Sequence, residues 1–316
     1  MRVLIVKTSS MGDVVHALPA ISDMVKALPG LEVDWLVEKG FSAIPAQHRA
    51  VQRVISLQWR KWRKSLRSAE TQSALRQWRA DMKQQPYDLV IDMQGLLKSA
   101  SFACFAKGPR AGYDWHSIRE PLASLFYQRR ARVSRQLHAV DRCRQLAAQV
   151  LGYPLPDTPP DFGMRPTDEF WRPAQESPYA VLIPCASRPE KLWPQADWIA
   201  VSQHLARQGL AVAVMWGSPE EQQRAEDIAQ ATGAVVPPFL TVAQAANSLA
   251  HAEIVVGLDT GLTHLAAASG RTTIGIYCDH EPGLAGVTGP GRVQSLGGKG
   301  QIPSLQAVLD AVTAAS

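Results

Sequence analysis

At 316 residues and 34.5 kDa the chain has room for two domains of ordinary size. With 46% hydrophobic and 19% charged residues it is not a disordered chain, which would lack apolar surface to bury; its 22 glycines and 22 prolines, scattered without period, exclude a collagen-like or low-complexity protein. The net charge of +5 hides an asymmetry, because residues 1–150 hold 24 Lys and Arg against 12 Asp and Glu while residues 151–316 hold 9 against 16; the first half is suited to an anionic partner such as nucleic acid, a membrane surface or a phosphorylated substrate.

Taken in chain order, residues 2–7 read as a short buried strand, with Val3, Leu4, Ile5 and Val6 in a row. Residues 8–13 form a polar loop containing Gly12. Residues 14–28 carry helical spacing at Val14, Leu18, Ile21, Met24, Val25 and Leu28, and stop before Pro29-Gly30. Residues 31–37 are a second strand, so the chain opens as a βαβ unit with a parallel sheet. Residues 59–67 pack five cations and two tryptophans together, and Arg129, Arg130, Arg132 and Arg135 form a second cluster. Trp beside Arg and Lys suits a peripheral membrane segment or a nucleic-acid contact. Taken alone it suits equally a solvated helix face with the tryptophans turned inward, and the charge asymmetry between the two halves tips the reading toward a functional contact. Residues 87–93 are a further strand, followed by a helix entered from residues 94–99.

Residues 152–179 hold seven prolines, from Pro154 to Pro178, and read as a linker. The pattern then restarts. Strands are expected at 179–183, 210–216, 253–258 and 273–277, and helices at 198–208, 219–232, 240–251 and 261–269, with a last helix over 303–314. The organisation expected is a first domain over 1–160, a linker over 161–178 and a second domain over 179–302, the C-terminal helix 303–316 packing back on the first domain. Ligands of such open α/β sheets bind beyond the carboxyl ends of the strands.

Several chemistries lack their signatures. No G-x-G-x-x-G follows the first strand and no G-x-x-x-x-G-K-[ST] occurs, which disfavours dinucleotide redox and P-loop chemistry. No G-x-S-x-G elbow, D-x-D or H-E-x-x-H is present. The four cysteines, Cys104, Cys143, Cys185 and Cys278, form no C-x-x-C pair and read as reduced thiols. No signal peptide and no apolar run approaching the ~20 residues of a bilayer span is seen, so a soluble cytoplasmic protein is expected.

Four loops could carry chemistry. In residues 8–16, Asp13 follows Gly12 at a helix start, with His16 one turn on along the same face. Taken alone, this favours a helix-capping aspartate over a general base. In residues 257–264, Asp259, Thr260 and Gly261 precede a helix of small residues, whose first N–H groups could hold a diphosphate. In residues 187–194, Lys191 follows a strand and could reach that diphosphate. Residues 216–221 bring Trp216 and an acid, Glu221, to the start of a further helix, where the acid either meets ribose hydroxyls or simply complements the helix dipole.

Together these segments resemble the lipopolysaccharide heptosyltransferases. The resemblance rests on the opening stretch from Met1 to Ala20 (with Lys7-Thr8-Ser9-Ser10-Met11-Gly12-Asp13), on Trp59-Arg60-Lys61-Trp62-Arg63-Lys64, on Asp92 to Ser99, and on Arg119 to Tyr127. It continues through Lys191-x-Trp193-Pro194, Trp216-Gly217 and Asp259-Thr260-Gly261-Leu262-Thr263-His264. Ordered along nearly the whole chain, the set is specific where each piece alone is weak. It implies a GT-B glycosyltransferase: two Rossmann-like domains facing a cleft, with no metal and no cofactor. It further implies an inverting transfer of heptose from ADP-L-glycero-D-manno-heptose to Kdo2-lipid A, performed by a peripheral protein on the anionic cytoplasmic leaflet of the inner membrane.

By the same resemblance Asp13 is the general base and Lys191 steadies the diphosphate. The donor is expected at Ser187, Lys191, Trp216, Glu221, Asp259, Thr260, Gly261, Leu262 and His264. The acceptor is expected at Ser10, Gly12, Arg60, Arg63, Lys64 and Arg119. Two loops depart from the family pattern. Pro184-Cys185-Ala186-Ser187 stands where His-Ala-Thr-Thr is common, and Tyr277-Cys278-Asp279-His280 stands where Tyr-Gly-Pro-Thr is common. The alternatives are a paralogous transferase acting on an already heptosylated acceptor, a basic nucleic-acid-binding protein, and a sugar-nucleotide epimerase or dehydrogenase. The nucleic-acid reading gives no role to Asp13, Lys191 or the Asp259 loop, and no nucleic-acid partner is expected.

Overall fold

The computed structural model describes residues 1–173 and 178–315. Residues 174–177, within the expected linker 161–178, and Ser316, within the expected C-terminal helix, lie outside the described residues. The chain forms two compact units, Met1–Gly163 and Met164–Ser316.

The first unit is a six-stranded sheet whose strand pairs are all parallel. It runs β1 (Arg2–Val6), α1 (Met11–Ala27), β2 (Glu32–Glu38), α2 (Ala43–Ala46), β3 (Val51–Leu57), α3 (Trp59–Trp62), α4 (Ala69–Lys83), β4 (Leu89–Asp92), α5 (Leu97–Ala103), β5 (Arg110–Tyr113), a 3₁₀ turn (Pro121–Phe126), β6 (Arg129–Ala131) and α6 (Ala139–Leu151). The strand order is β3-β2-β1-β4-β5-β6. It reverses between β1 and β4, which run in register from Val3↔Leu89 to Val6↔Asp92. Such a reversal opens a crevice beyond the carboxyl ends of the two central strands. The strands are apolar on both faces because helices cover both. Leu4, Val6, Leu36 and Val90 are fully buried, and Trp62, Trp78 and Met82 close over them.

The tryptophans of the basic segment turn inward, which corrects the expectation that they meet a membrane or bases. Trp62 is 3% exposed and packs edge-on against Trp78. Trp59 does the same against Phe102. The rings therefore face the core, while Arg60, Arg63 and Lys64 are exposed.

The second unit repeats the plan with five strands: β7 (Tyr179–Ile183), α7 (Gln195–Arg207), β8 (Ala211–Val214), α8 (Pro219–Thr232), α9 (Val242–Ala250), β9 (Ile254–Leu258), α10 (Gly261–Ala268), β10 (Thr272–Tyr277), α11 (Pro282–Ala285), β11 (Val293–Gly297) and α12 (Leu305–Ala315). The order β11-β10-β9-β7-β8 reverses between β7 and β9, which pair parallel from Ala180↔Ile254 to Ile183↔Gly257. The C-terminal helix belongs to this unit. Val308, Ala311 and Val312 of α12 fill its core beside Trp198, Val201 and Leu205 of α7. That corrects the expectation that residues 303–316 pack on the first domain; the apolar stripe of α12 is used up here. Residues 152–173 carry no helix or strand, as their prolines require.

Candidate active site

In the first unit the candidate residues gather at the reversal of the sheet, on the loops after β1 and β4. α1 begins at Met11, three residues earlier than its apolar spacing suggests, because Ser10 caps it in extended conformation. Asp13 is therefore the third residue of the helix and not its cap. Its Oδ2 accepts hydrogen bonds from the Ser10 backbone N–H (2.8 Å) and from Ser10 Oγ (2.7 Å). Its side chain stays 43% exposed, and Oδ1 lies 3.8 Å from the ammonium of Lys7. Partial burial pushes the Asp13 carboxyl up. The Lys7 charge, the two Ser10 hydrogen bonds and the Arg119 charge outweigh it and hold the carboxyl below its usual value. The result is an ionised carboxylate with one oxygen committed to the fold.

His16 is buried and stands against His138 of the loop before α6, with ring centroids 5.7 Å apart. Ser10 and Gly12 frame Asp13 within one turn. Arg119 is exposed on the loop after β5 and adds to the field at Asp13. Arg60 has its guanidinium 5.2 Å from the Phe41 ring centroid, and its backbone N–H donates to Glu38 Oε1. Arg63 and Lys64 follow it as exposed cations at the end of α3.

Sequence reasoning missed the support under this loop. Lys7, only 8% exposed at its side chain, donates from Nζ to the Met93 carbonyl at 3.0 Å. Gln94 Oε1 accepts from the backbone N–H groups of Thr8 (2.9 Å) and Ser9 (3.1 Å). Asp92 in turn accepts four hydrogen bonds, from the Gln94 and Gly95 backbone, from Ser99 Oγ and from the Tyr127 hydroxyl. One buried carboxylate thus fixes the loop after β4, and that loop fixes the loop carrying Asp13. The only sequence signal was a polar Asp-x-Gln-Gly run at a strand end.

In the second unit the loops after β7 and β9 flank the other reversal. Lys191, on a short 3₁₀ turn, donates from Nζ to Asp259 Oδ2 at 2.5 Å and to the Asp259 carbonyl at 3.1 Å. His264, buried in α10, places Nε2 3.3 Å from Asp259 Oδ1. Burial pushes the Asp259 carboxyl up, but His264 and Lys191 prevail and bring it down to about 2. Thr260 caps α10 in extended conformation, with Gly261 and Leu262 opening the helix. The first N–H groups of α10 and the Lys191 ammonium thus converge on the Asp259 loop, a combination suited to an anion. Gly257 is required just below. A Cβ there would come within 2.4 Å of Thr263 Oγ1 and 3.0 Å of Ile183 Cβ.

Around this centre, Trp216 is anchored by a 2.8 Å hydrogen bond from Nε1 to the Pro237 carbonyl and stands edge-on to Phe239. Glu221, in the first turn of α8, accepts the Gly217 N–H at Oε2 (2.8 Å), so it does serve its helix start. Ser187 lies exposed at the head of the loop leading to Lys191. The two loops that depart from the family pattern are tied to each other. Arg188 pairs with Asp279 at 2.8 Å, so the substituted residues after β10 brace the loop after β7. Cys185, in the loop after β7, is buried, and burial pushes its thiol up to about 12.

The donor candidates thus gather in one unit, and Asp13 and the acceptor candidates in the other. Comparison with known proteins places the chain in a family. The sequence pattern of glycosyltransferase family 9 (heptosyltransferase) matches residues 75–308. Lipopolysaccharide heptosyltransferase 1 of Escherichia coli K12 is 43% identical over 295 residues, covering 93% of this chain and 92% of that protein. The protein of the same name from Pseudomonas aeruginosa PAO1 is 44% identical over 93% of this chain and 83% of its own. The solved structure of E. coli heptosyltransferase WaaC with ADP superposes with a TM-score of 0.91 at 40% identity, over 100% of both chains. E. coli ADP-heptose LPS heptosyltransferase II shares the fold, with a TM-score of 0.78 at 19% identity. The two parallel α/β sheets are those of a GT-B glycosyltransferase, and the chain belongs to glycosyltransferase family 9, the heptosyltransferases of lipopolysaccharide core synthesis.

Proposed function

We propose that the protein transfers L-glycero-D-manno-heptose from the ADP-sugar to a Kdo residue of Kdo2-lipid A, with inversion and without a metal. The observation that carries this reading is the Lys191–Asp259–His264 cluster at the start of α10. It lies in a chain that matches, end to end, a heptosyltransferase solved with ADP. A related E. coli structure is described with ADP-2-deoxy-2-fluoro heptose, which supports the choice of donor.

The chemistry follows from the groups present. As the bond between the sugar and the diphosphate breaks, negative charge grows on the leaving oxygen. The Lys191 ammonium and the N–H groups of Gly261 and Leu262 are assigned to meet it, supplying the charge that a metal supplies elsewhere. Glu221 and Trp216 are assigned to the nucleoside end, and Ser187, Thr260 and His264 to the diphosphate and its loop. On the acceptor side, Asp13 takes the proton of the attacking hydroxyl at Oδ1, because Oδ2 is held by Ser10. Attack from the face opposite the leaving group inverts the anomeric carbon. Arg60, Arg63, Lys64 and Arg119 are exposed cations suited to the carboxylates and phosphates of the acceptor. The described residues include no helix long and apolar enough to cross a membrane. A peripheral position on the anionic cytoplasmic leaflet is the reading that gives the cations a partner.

The test is ADP release from ADP-heptose with and without Kdo2-lipid A, for wild type and Asp13→Ala. Acceptor-dependent release that disappears in the variant supports the whole assignment. Release that survives the variant removes the base assignment. Release only with an already heptosylated acceptor moves the protein to a later transfer.

A further inference from the structure

The segment that follows Arg119 is amphipathic in a way that the proposed transfer does not use. In the 3₁₀ turn Pro121–Phe126, Ala123 and Ser124 are buried while Leu122 is 54% and Leu125 63% exposed, with Phe126 and, on α5, Leu97 also exposed. Four large apolar side chains on one short stretch of surface are costly in water and mark a contact. The turn is held firmly. Glu120 Oε2 accepts the Leu97 N–H at 2.7 Å, which ties α5 to the turn. Arg110 Nε donates to the Phe126 carbonyl and Arg130 Nε to the Ser124 carbonyl, both at 2.9 Å. These bonds set guanidinium groups at the edge of the apolar strip. Residues 97–132 hold seven Lys and Arg against two Asp and Glu, so the strip sits in a strongly cationic stretch.

We propose that the Pro121–Phe126 turn and Leu97 are the face by which the first unit docks on an anionic lipid bilayer. Leu122, Leu125 and Phe126 enter the headgroup boundary, and Arg110, Arg129 and Arg130 meet lipid phosphates. This deepens the peripheral reading above and rests on it. Charge complementarity chooses the occupant. A second copy of the chain would bring two cationic stretches together, whereas an anionic leaflet neutralises them and receives the leucines. The strip also begins at the rim of the candidate site. The Glu120 N–H donates to the Gly95 carbonyl, in the loop whose Gln94 holds Thr8 and Ser9. A lipid-borne acceptor would therefore lie beside Asp13 when the turn is seated. The tryptophans of residues 59–67 do not serve this role, since Trp62 is buried.

The experiment is sedimentation of the full chain with vesicles of phosphatidylcholine alone and of phosphatidylcholine with about one third phosphatidylglycerol, without donor or acceptor. Wild type is expected to bind the mixed vesicles much more strongly. The double variant Leu122→Ser/Leu125→Ser is expected to lose at least about tenfold in binding to them, with an unchanged melting temperature. Arg129→Glu, on an exposed side chain that holds no carbonyl of the turn, is expected to weaken the preference for anionic lipid. Vesicle binding by the double-leucine variant equal to wild type overturns the proposal, as does a wild type indifferent to lipid charge. A change in molecular size of that variant in vesicle-free solution assigns the strip to a second copy and also overturns it. Turnover on detergent-dispersed acceptor is expected to be unchanged in the leucine variant. Vesicle binding without any heptose transfer by wild type would count against the proposed reaction and not against this face.

Discussion

Lys191 Nζ sits 2.5 Å from Asp259 Oδ2 and 3.1 Å from the carbonyl oxygen of the same residue. The ammonium assigned to the departing diphosphate is therefore already aimed by a carboxylate, which holds it beside the N-terminus of α10. If Lys191 acts on charge that develops as the bond breaks, its loss should be felt in the transition state. Lys191→Ala is expected to lower kcat and kcat/KM together by about 10²–10³-fold, as removal of one charge-stabilising donor does elsewhere. Lys191→Arg should recover only part, since a planar guanidinium cannot occupy the point of an ammonium. Steady-state ADP release separates these outcomes from a rise in KM alone, which would make Lys191 a ground-state binder.

The same pair gives the protein an acid-sensitive element. Asp259 is lowered from 3.8 to about 2, so it stabilises the folded state fully above pH 3.8 and loses that contribution as the pH falls through about 2. A shift of this size corresponds to about 2 kcal/mol. Asp259→Asn should therefore be less stable than wild type at neutral pH, and the gap should close between about pH 4 and pH 2. Urea unfolding of both proteins at a series of pH values measures it. A gap that does not change with pH would mean that Lys191 and His264 do not hold the carboxylate.

The contrast between the legible and illegible parts of this site has a physical origin. Buried strands such as residues 179–183 and capped helices such as residues 219–232 are local features, written in apolar runs and in Ser-Pro starts, and they stand where the sequence places them. The short strands β5 and β6, of four and three residues, carry no such signal, and their pairing depends on neighbours far along the chain. The candidate loops were legible because each follows an apolar strand. The partners within them were not. Gln94 reaches back 86 residues to Thr8, and Lys191 forward 68 to Asp259, and nothing local announces either bond. The α12 expectation failed for a related reason: an amphipathic helix shows that it has a buried face but not which core receives it.

Asp13 and Lys7 make a prediction about pH. With its carboxyl below the usual value, Asp13 remains an ionised base at any pH above about 4. The acid limb of kcat/KM attributable to it should lie below that of an ordinary aspartate. Lys7→Met removes the nearest opposing charge, so the carboxyl should rise and activity should fail at a higher pH as the medium is acidified. Near neutral pH the variant should retain most of its rate, because Asp13 is still ionised there. Asp13→Asn keeps an oxygen for Ser10 and hence most of the helix start, which is worth about 1 kcal/mol, but it cannot take a proton. Its melting temperature should stay close to wild type while turnover falls by at least about 10²-fold. An acid limb unmoved in Lys7→Met would remove Lys7 from the site.

The buried carboxylate beneath that loop gives a prediction that starts far from the chemistry. The Tyr127 hydroxyl donates to Asp92 Oδ2 at 2.7 Å, and its ring lies directly over Gly112. A Cβ on Gly112 would come within 2.4–2.8 Å of three ring atoms, and the ring is buried, so it has nowhere to retreat. Gly112→Ala should cost about 1–3 kcal/mol as an overpacked core does. It should also draw the hydroxyl away from Asp92. Tyr127→Phe removes the hydroxyl without the clash and should cost about 1–2 kcal/mol, leaving Ser99 and two backbone N–H groups on the carboxylate. If Asp92 fixes Gln94, and Gln94 fixes Thr8 and Ser9, both variants should lower kcat more than they raise KM for the donor, since the donor candidates are on the other unit. Adding Gly112→Ala to Tyr127→Phe should cost less than the sum of the two, because both act on one ring. Chemical unfolding and steady-state kinetics on the three variants read the two effects separately. Strict additivity, or an unchanged kcat in a destabilised Gly112→Ala, would cut the link from β5 to the Asp13 loop.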